Sequence, residues 1–85
     1  MTAYRVSIHI TPRRGLLDPQ GKAVEGALHS LGFDSVREVH VGRHIIIVTE
    51  APDVSAATNL ARVMCERLLA NPVTEDFEIE SAAMV

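Results

Sequence analysis

Histidines are the residues of this sequence whose chemistry is most versatile, and four of them are present: His9, His29, His40 and His44. None of them forms a close-spaced pair with a second ligand, which is the pattern of common zinc motifs. His40 and His44 also lie on opposite sides of a predicted turn. The histidines therefore predict no metal site.

Carboxylates near the end of the chain are the second candidate for chemistry. The acidic residues Glu75, Asp76, Glu78 and Glu80 alternate with apolar ones, which is typical of the solvated side of a β-strand rather than of a paired-carboxylate active site. Glycines are few, and no glycine-rich loop is followed by a lysine and a hydroxyl residue, which excludes a P-loop. We expect no catalytic residue and no bound cofactor on this chain.

Composition indicates one globular domain, spanning residues 1–85. Hydrophobic residues make up 47% of the chain and charged residues 22%, and one core is feasible at this length. The formal net charge is −3, with lysines and arginines scattered along the chain. Because the basic residues form no cluster, we expect this chain to bind neither nucleic acid nor an anionic membrane surface.

Cysteine content and hydropathy point to a cytoplasmic protein. Cys65 has no partner for an internal disulfide and is interpreted as a small buried apolar side chain. No signal peptide precedes Tyr4, and the longest apolar run, Ile45–Val48, is too short to span a bilayer. A reducing cytoplasm is the predicted location.

The first half of the chain predicts a strand and then a helix with defined ends. Apolar and polar residues alternate from Tyr4 to Thr11, as in a half-buried strand. After a loop at Pro12–Leu17, Asp18 is a good N-cap, Pro19 fits the first helical position, and Gly32 suits the helix end. One apolar stripe along this helix is predicted to face the sheet: Val24, Ala27, Leu28 and Leu31.

The second half predicts two strands, a helix and a final strand. Val36–Val41 and His44–Thr49 flank Gly42-Arg43, which indicates an antiparallel hairpin. A second helix opens at Pro52-Asp53 and ends at Asn71-Pro72, and Phe77 and Ile79 lie on the last strand. The apolar stripe of the second helix is predicted to consist of Ala57, Leu60, Ala61, Met64 and Leu68.

The resulting order is β-α-β-β-α-β. It predicts a two-layer α+β domain in which both helices cover one face of a largely antiparallel sheet, as in ferredoxin-like folds. RNA-binding proteins share this order, but they stack bases on exposed aromatics, whereas Tyr4 and Phe77 are placed like core residues here.

The strand at His44–Thr49 is apolar on both faces. If Ile45 and Ile47 face the helices, Ile46 and Val48 face outwards, and antiparallel sheets usually turn a polar face to water. We expect self-association through Ile46 and Val48. The alternative is a central strand covered by a long loop.

Several runs resemble the PurS family, the small subunit of phosphoribosylformylglycinamidine synthase, in the same order and at the same spacing along nearly the whole chain. They are Leu17-Asp18-Pro19-Gln20-Gly21, Ala23-Val24, Ala27-Leu28, Gly32-Phe33, Val36 to Arg43, Cys65-Glu66-Arg67-Leu68-Leu69-Ala70-Asn71-Pro72-Val73 and Glu75-Asp76. Two departures occur: His40 and Arg43 stand where the family typically has Arg and Lys, and Thr74 replaces an aliphatic residue.

The resemblance implies a non-catalytic subunit in de novo purine biosynthesis. In such enzymes a glutaminase subunit releases ammonia and a large synthetase subunit uses ATP and magnesium, while the small subunit joins the two for ammonia transfer. A homodimer or homotetramer is implied as well. The absence of a catalytic motif and the apolar outer face of one strand both agree with that role.

Partner contacts are expected at the ends of the first helix and in the flanking loops. The expected partner-binding residues are Asp18, Pro19, Gln20, Gly21, Gly42, Arg43, Asn71 and Pro72. An alternative function is a stand-alone regulatory module that binds a small effector between two copies, with Arg13-Arg14-Gly15 as an anion site.

Overall fold

The computed structural model describes residues 1–13 and 18–85. The described part contains three strands, two α-helices and a short π-helix. They are β1 (Thr2–Pro12), α1 (Pro19–Ser30), β2 (Arg43–Ala51), α2 (Val54–Met64), the π-helix (Cys65–Leu69) and β3 (Glu75–Met84). The predicted loop at 12–17 lies largely outside these residues. No helix in the described ranges is long and apolar enough to cross a bilayer.

The sheet is antiparallel, and β1 lies between β2 and β3. Ile8 of β1 is opposite Ile45 of β2 on one side and opposite Ile79 of β3 on the other. Directly opposed residues share a face of the sheet, so the apolar positions of all three strands coincide. The predicted α+β class with an antiparallel sheet is confirmed.

The segment Val36–Val41 differs from its prediction, because it forms no strand and the element order is β-α-β-α-β. Its backbone groups find partners on α1 and its N-cap instead of on a strand. The Val36 carbonyl lies 2.8 Å from His29 Nε2, and the Val41 amide donates to Asp18 Oδ2 over 3.0 Å. Alternating polarity does not show which groups form hydrogen bonds with the backbone amides and carbonyls of a segment. In this segment side chains form them.

The core lies between the sheet and α2. Val6, Ile8 and Ile10 of β1 are fully buried, and Ala57 and Ala61 of α2 pack against the same cluster. Small side chains on α2 let the helix axis approach the sheet closely. The helix stripe is therefore narrower than predicted, and Leu60 is 42% exposed.

The π-helix explains why Leu68 does not face the core. The Ala70 amide donates to the Cys65 carbonyl five residues back, over 3.0 Å, so this turn is wider than an α-helical turn. Cys65 and Ala70 are buried, whereas Leu68 is 81% exposed. The predicted inward position of Leu68 is wrong, because it assumes uninterrupted α-helical spacing.

Helix α1 makes few contacts with the other helices and strands. Of its predicted inward stripe only Leu28 is half-buried, and Leu31 is 74% exposed. The molecule measures 52 × 26 × 14 Å with a radius of gyration of 16.3 Å, against about 12 Å for a compact chain of this length. The prediction that both helices pack on one face is therefore corrected, since α2 alone packs against the sheet.

Candidate functional site

Asp18 joins the start of α1 to the segment that returns towards the sheet. Its Oδ1 accepts a hydrogen bond from the Gly21 amide over 3.0 Å, and its Oδ2 accepts one from the Val41 amide over 3.0 Å. These bonds to the charged carboxylate lower the pKa of Asp18, with His40 acting in the same direction and burial opposing it. The predicted N-cap is confirmed, and the same side chain also tethers a residue 23 positions away.

Two of the predicted partner-binding residues are glycines that pack against this chain's own backbone. A Cβ atom on Gly21 would overlap the Val39 carbonyl oxygen, and one on Gly42 would overlap the Ile10 carbonyl oxygen. Gly21 is buried. Both glycines therefore allow close backbone approach, which fixes the course of the chain between α1 and β2.

Arg43 holds the loop that follows the π-helix. Its Nη2 donates to the Leu69 carbonyl over 2.9 Å and to Glu75 Oε1 over 2.6 Å. Glu75 Oε1 also accepts from the Asn71 amide over 2.9 Å. We call residues 69–76, which connect the π-helix to β3, the pinned loop. Arg43 fixes its path by binding it at Leu69 and at Glu75.

Arg13 reinforces the pinned loop from the end of β1. Its Nη2 donates to the carbonyls of Pro72, over 2.9 Å, and Glu75, over 3.3 Å, and its Nε reaches Asp76 Oδ1 at 3.3 Å. In the alternative function Arg13 forms an anion site with Arg14 and Gly15, which lie outside the described residues. The guanidinium of Arg13 itself is directed at the pinned loop.

Glu75 links the predicted partner-binding residues in space, because two of the cavities that it lines are also lined by them. One cavity, of about 390 Å³, is also lined by Asp18, Pro19 and Gln20, and the other, of about 500 Å³, by Arg43, Asn71 and Pro72. We call these two cavities together the end groove. Six of the eight predicted residues thus lie around one end of the sheet, where β2 and β3 begin, although they come from distant parts of the sequence.

The end groove offers shape and hydrogen-bonding groups rather than a reactive centre. Arg43 and Glu75 neutralise each other across its wall. Asn71 Oδ1 accepts from the Val73 amide over 2.9 Å, so this side chain supports the loop. Such an arrangement suits recognition of a protein surface by a preformed loop.

The predicted self-association residues lie on the face of the sheet opposite α2, which we call the open face. Ile46 is opposite Ser7 and Val48 is opposite Arg5, and both apolar side chains are 56% exposed. The structure therefore places them together on one exposed surface.

A second exposed apolar surface, at the end of α1, was not predicted from the sequence. Gly32 has a φ of 96°, and the Phe33 amide donates to the Leu28 carbonyl over 3.0 Å, as in a Schellman motif. The predicted helix end is confirmed. However, the side chains of Leu31 and Phe33 are 74% and 55% exposed, because α1 makes few contacts with the strands that the structure describes. The apolar stripe predicted for α1 was the available signal.

Comparisons with known proteins agree with the geometry and decide the family. The family model PurS, described as phosphoribosylformylglycinamidine (FGAM) synthase, matches residues 5–83. The chain belongs to the PurS family. The family assignment suggested by the sequence is thus confirmed over nearly the full chain.

Relatives and solved structures of PurS match at full length. The phosphoribosylformylglycinamidine synthase subunit PurS of Synechocystis is 40% identical over 82 residues, which cover 96% of this chain and 82% of the relative. Thermus thermophilus PurS superposes with a TM-score of 0.85 at 41% identity, covering 98% of each chain. A chain of the PurLQS structure from Thermotoga maritima superposes with a TM-score of 0.83 at 27% identity and full coverage of both chains.

Proposed function

We propose that this chain is the accessory PurS subunit of phosphoribosylformylglycinamidine synthase, a glutamine- and ATP-dependent ligase of de novo purine biosynthesis. The observation that carries the proposal is the full-length match to PurS subunits, including a chain of the PurLQS structure at complete coverage. The ligase activity belongs to the assembled enzyme. This subunit joins the glutaminase and the ATP-dependent synthetase for ammonia transfer.

The hydrogen bonding of the end groove favours a role in joining other subunits over a catalytic role. Its charged groups are engaged within the chain: Arg43 pairs with Glu75, and Arg13 donates to carbonyls of the pinned loop. Groups held in this way keep a surface rigid, which reduces the entropy lost on binding. ATP, magnesium and glutamine are therefore assigned to the partner subunits, and no cofactor is assigned to this chain.

The end groove is the proposed contact surface for the partner subunits. Pro19, Gln20, Asn71 and Pro72 are exposed around it, while Asp18, Gly21 and Gly42 fix the backbone that carries them. The two sets have different roles: the first set touches the partner, and the second preserves the shape of the surface.

Self-association is the second part of the proposal. The single domain 1–85 exposes apolar side chains on the open face, at Ile46 and Val48, and on α1, at Leu31 and Phe33. Full burial of each such side chain stabilises by about 1.5–3 kcal/mol. A homodimer or homotetramer formed in the cytoplasm covers these surfaces with a second copy of the chain.

The contact surface is tested by mixing the purified chain with the glutaminase and synthetase subunits and measuring complex formation by sedimentation. Gln20→Arg, at the second position of α1, should weaken the complex at least about tenfold by placing a bulky charge in the end groove. Ser55→Arg is the matched control, because Ser55 is exposed at the second position of α2. Equal binding by both variants contradicts the proposed surface.

A further inference from the structure

Two histidines and a glutamate meet on the open face of the sheet, one from each strand. We call His9 of β1, His44 of β2 and Glu80 of β3 the triad. The candidate ligand atoms of the triad all lie within 4.8 Å of one another. Imidazole nitrogen and carboxylate oxygen are both common ligands of divalent transition metals.

Strand pairing brings the two histidines together. His9 and His44 are directly opposite each other in the β1–β2 register. Their rings lie edge to face with centroids 4.8 Å apart. Both side chains therefore project from the same face of two hydrogen-bonded strands, and their relative position is set by the sheet rather than by a loop.

An irregularity in β3 supplies the carboxylate. Ile8 pairs with Ile79 but Ser7 pairs with Ser81, so Glu80 is an extra residue in β3. Such a bulge redirects a side chain and is often found beside functional sites. Glu80 Oε2 lies 2.8 Å from His9 Nε2 and 3.8 Å from His44 Nε2, so one carboxylate oxygen faces both imidazoles.

We propose that the triad binds one divalent transition-metal ion of the zinc class through His9, His44 and Glu80. In a tetrahedral site with metal–nitrogen bonds of about 2.0–2.1 Å, neighbouring ligand atoms are about 3.3 Å apart. The distances of 2.8 Å and 3.8 Å lie on either side of this value, and the imidazole nitrogens lie within 4.8 Å of each other, so side-chain rotations can bring the three ligands together. Three protein ligands leave the fourth position for water, as in open zinc sites.

In the isolated chain the triad is open to solvent. The side chains of His9, His44 and Glu80 are 45%, 49% and 49% exposed. Because the ligands come from three neighbouring strands, a bound ion would cross-link β1, β2 and β3. Metal binding to the folded chain raises its melting temperature by mass action.

Zinc binding to the untagged, chelator-treated full chain tests the proposal by titration calorimetry. We expect one zinc ion per chain, and His9→Gln, His44→Gln and Glu80→Gln should each raise the Kd at least about tenfold. The double variant His29→Gln/His40→Gln is the matched control, because it removes the other two histidines, and its Kd should not change. Far-UV circular dichroism confirms that each variant is folded.

Cobalt provides a second readout, since a tetrahedral nitrogen- and oxygen-ligated Co²⁺ ion gives strong visible absorption. The wild-type chain and the control should develop this spectrum at one equivalent, and the triad variants should not. The proposal is overturned if zinc does not bind stoichiometrically, if the triad variants bind as tightly as the wild type, or if the control loses binding. In those cases His9 and Glu80 are in contact without a metal.

Discussion

The two ends of the molecule differ in how they use their apolar residues. The sheet with α2 and the π-helix, which we call the sheet half, holds the buried hydrophobic residues of the described chain: Tyr4, Val6, Ile8, Ile10, Ala51, Ala57, Ala61, Cys65 and Ala70. Residues 18–42, which we call the arm, contribute Asp18 and Gly21 as their buried residues. The arm is held by hydrogen bonds and close backbone packing instead of by a core.

The difference shows that the apolar stripe of an amphipathic helix need not be buried within its own chain. Helices α1 and α2 both carry apolar stripes, yet only that of α2 meets the sheet. An apolar stripe without an internal partner is typical of an interaction surface. We therefore expect the two halves to respond to substitutions in different ways, with stability affected in one and assembly in the other.

The largest effect should follow from damage to the sheet half. Ile8→Ala empties a fully buried position on the central strand and should lower the free energy of unfolding by about 2–5 kcal/mol, as measured by urea denaturation. Ile8→Val removes one methylene and should cost about 0.5–1.5 kcal/mol. A cost below that of Ile8→Val for the alanine variant would contradict the assignment of the core.

The next largest effect should be on assembly, through the arm. Leu31→Asp/Phe33→Asp should raise the dissociation constant of the proposed oligomer about 100-fold or more, because charged side chains replace two apolar ones that a second copy would bury. Sedimentation equilibrium should then give the 9.3 kDa monomer with an unchanged helix content. Ser55→Asp/Asn59→Asp on α2 is the control and should leave the mass unchanged. If both double variants assemble equally, the arm is not the contact.

A smaller effect should distinguish the two N-caps. Asp18 caps α1 and tethers Val41, whereas Asp53 accepts from the Ala56 amide at the start of α2. Asp18→Ala should lower the Tm by about 5 °C or more, and Asp53→Ala by less. Thermal unfolding followed by circular dichroism measures both values, and a larger loss in Asp53→Ala would contradict the tether.

The Asp18 effect should also depend on pH. The pKa of Asp18 is lowered from its usual 3.8 in the folded state, so its stabilisation is present above that value and is lost as the pH falls through the folded-state pKa. The Tm difference between the wild type and Asp18→Ala should therefore be present at pH 5 and above and shrink below about pH 4. A difference that persists unchanged at pH 2 would show that the charge is unimportant.

The smallest effect should come from Gly26, in the middle of α1. An added Cβ atom there meets nothing within 4 Å, so Gly26→Ala should stabilise the chain by up to about 1 kcal/mol through helix propensity. Urea denaturation and sedimentation of the same variant distinguish two cases. If the Gly26→Ala variant is stabilised and assembles fully, Gly26 lies outside the contact of the proposed oligomer. If the oligomer is weakened, a second chain packs on Gly26.

Much of the fold was predictable, because helix ends and strand faces depend on neighbouring residues. Asp18 and Gly32 bound α1 through local hydrogen bonds and a positive φ, and both predictions are confirmed. The strand predicted at Val36–Val41 is wrong because its backbone partners are side chains on α1 and its N-cap, which no periodicity reveals. Leu68 is exposed for a related reason, since the π-helix changes the spacing.

The sites depend on long-range geometry and were less accessible to sequence reasoning. The sequence places Arg43 and Glu75 in different elements, and only the fold brings them together in the end groove. The triad required both the register between β1 and β2 and an irregularity in β3. The prediction of no metal site rested on the spacing of the four histidines along the sequence, which does not show which of them strand pairing brings together.

The rate of glutamine-driven amidine formation tests the central claim most directly. It is measured with the purified glutaminase and synthetase subunits, with and without this chain, and ammonia-driven turnover serves as the control. We predict that glutamine-driven turnover requires the chain and that ammonia-driven turnover depends on it much less. Equal glutamine-driven rates with and without the chain, together with no complex between the three proteins, would contradict its role as the joining subunit.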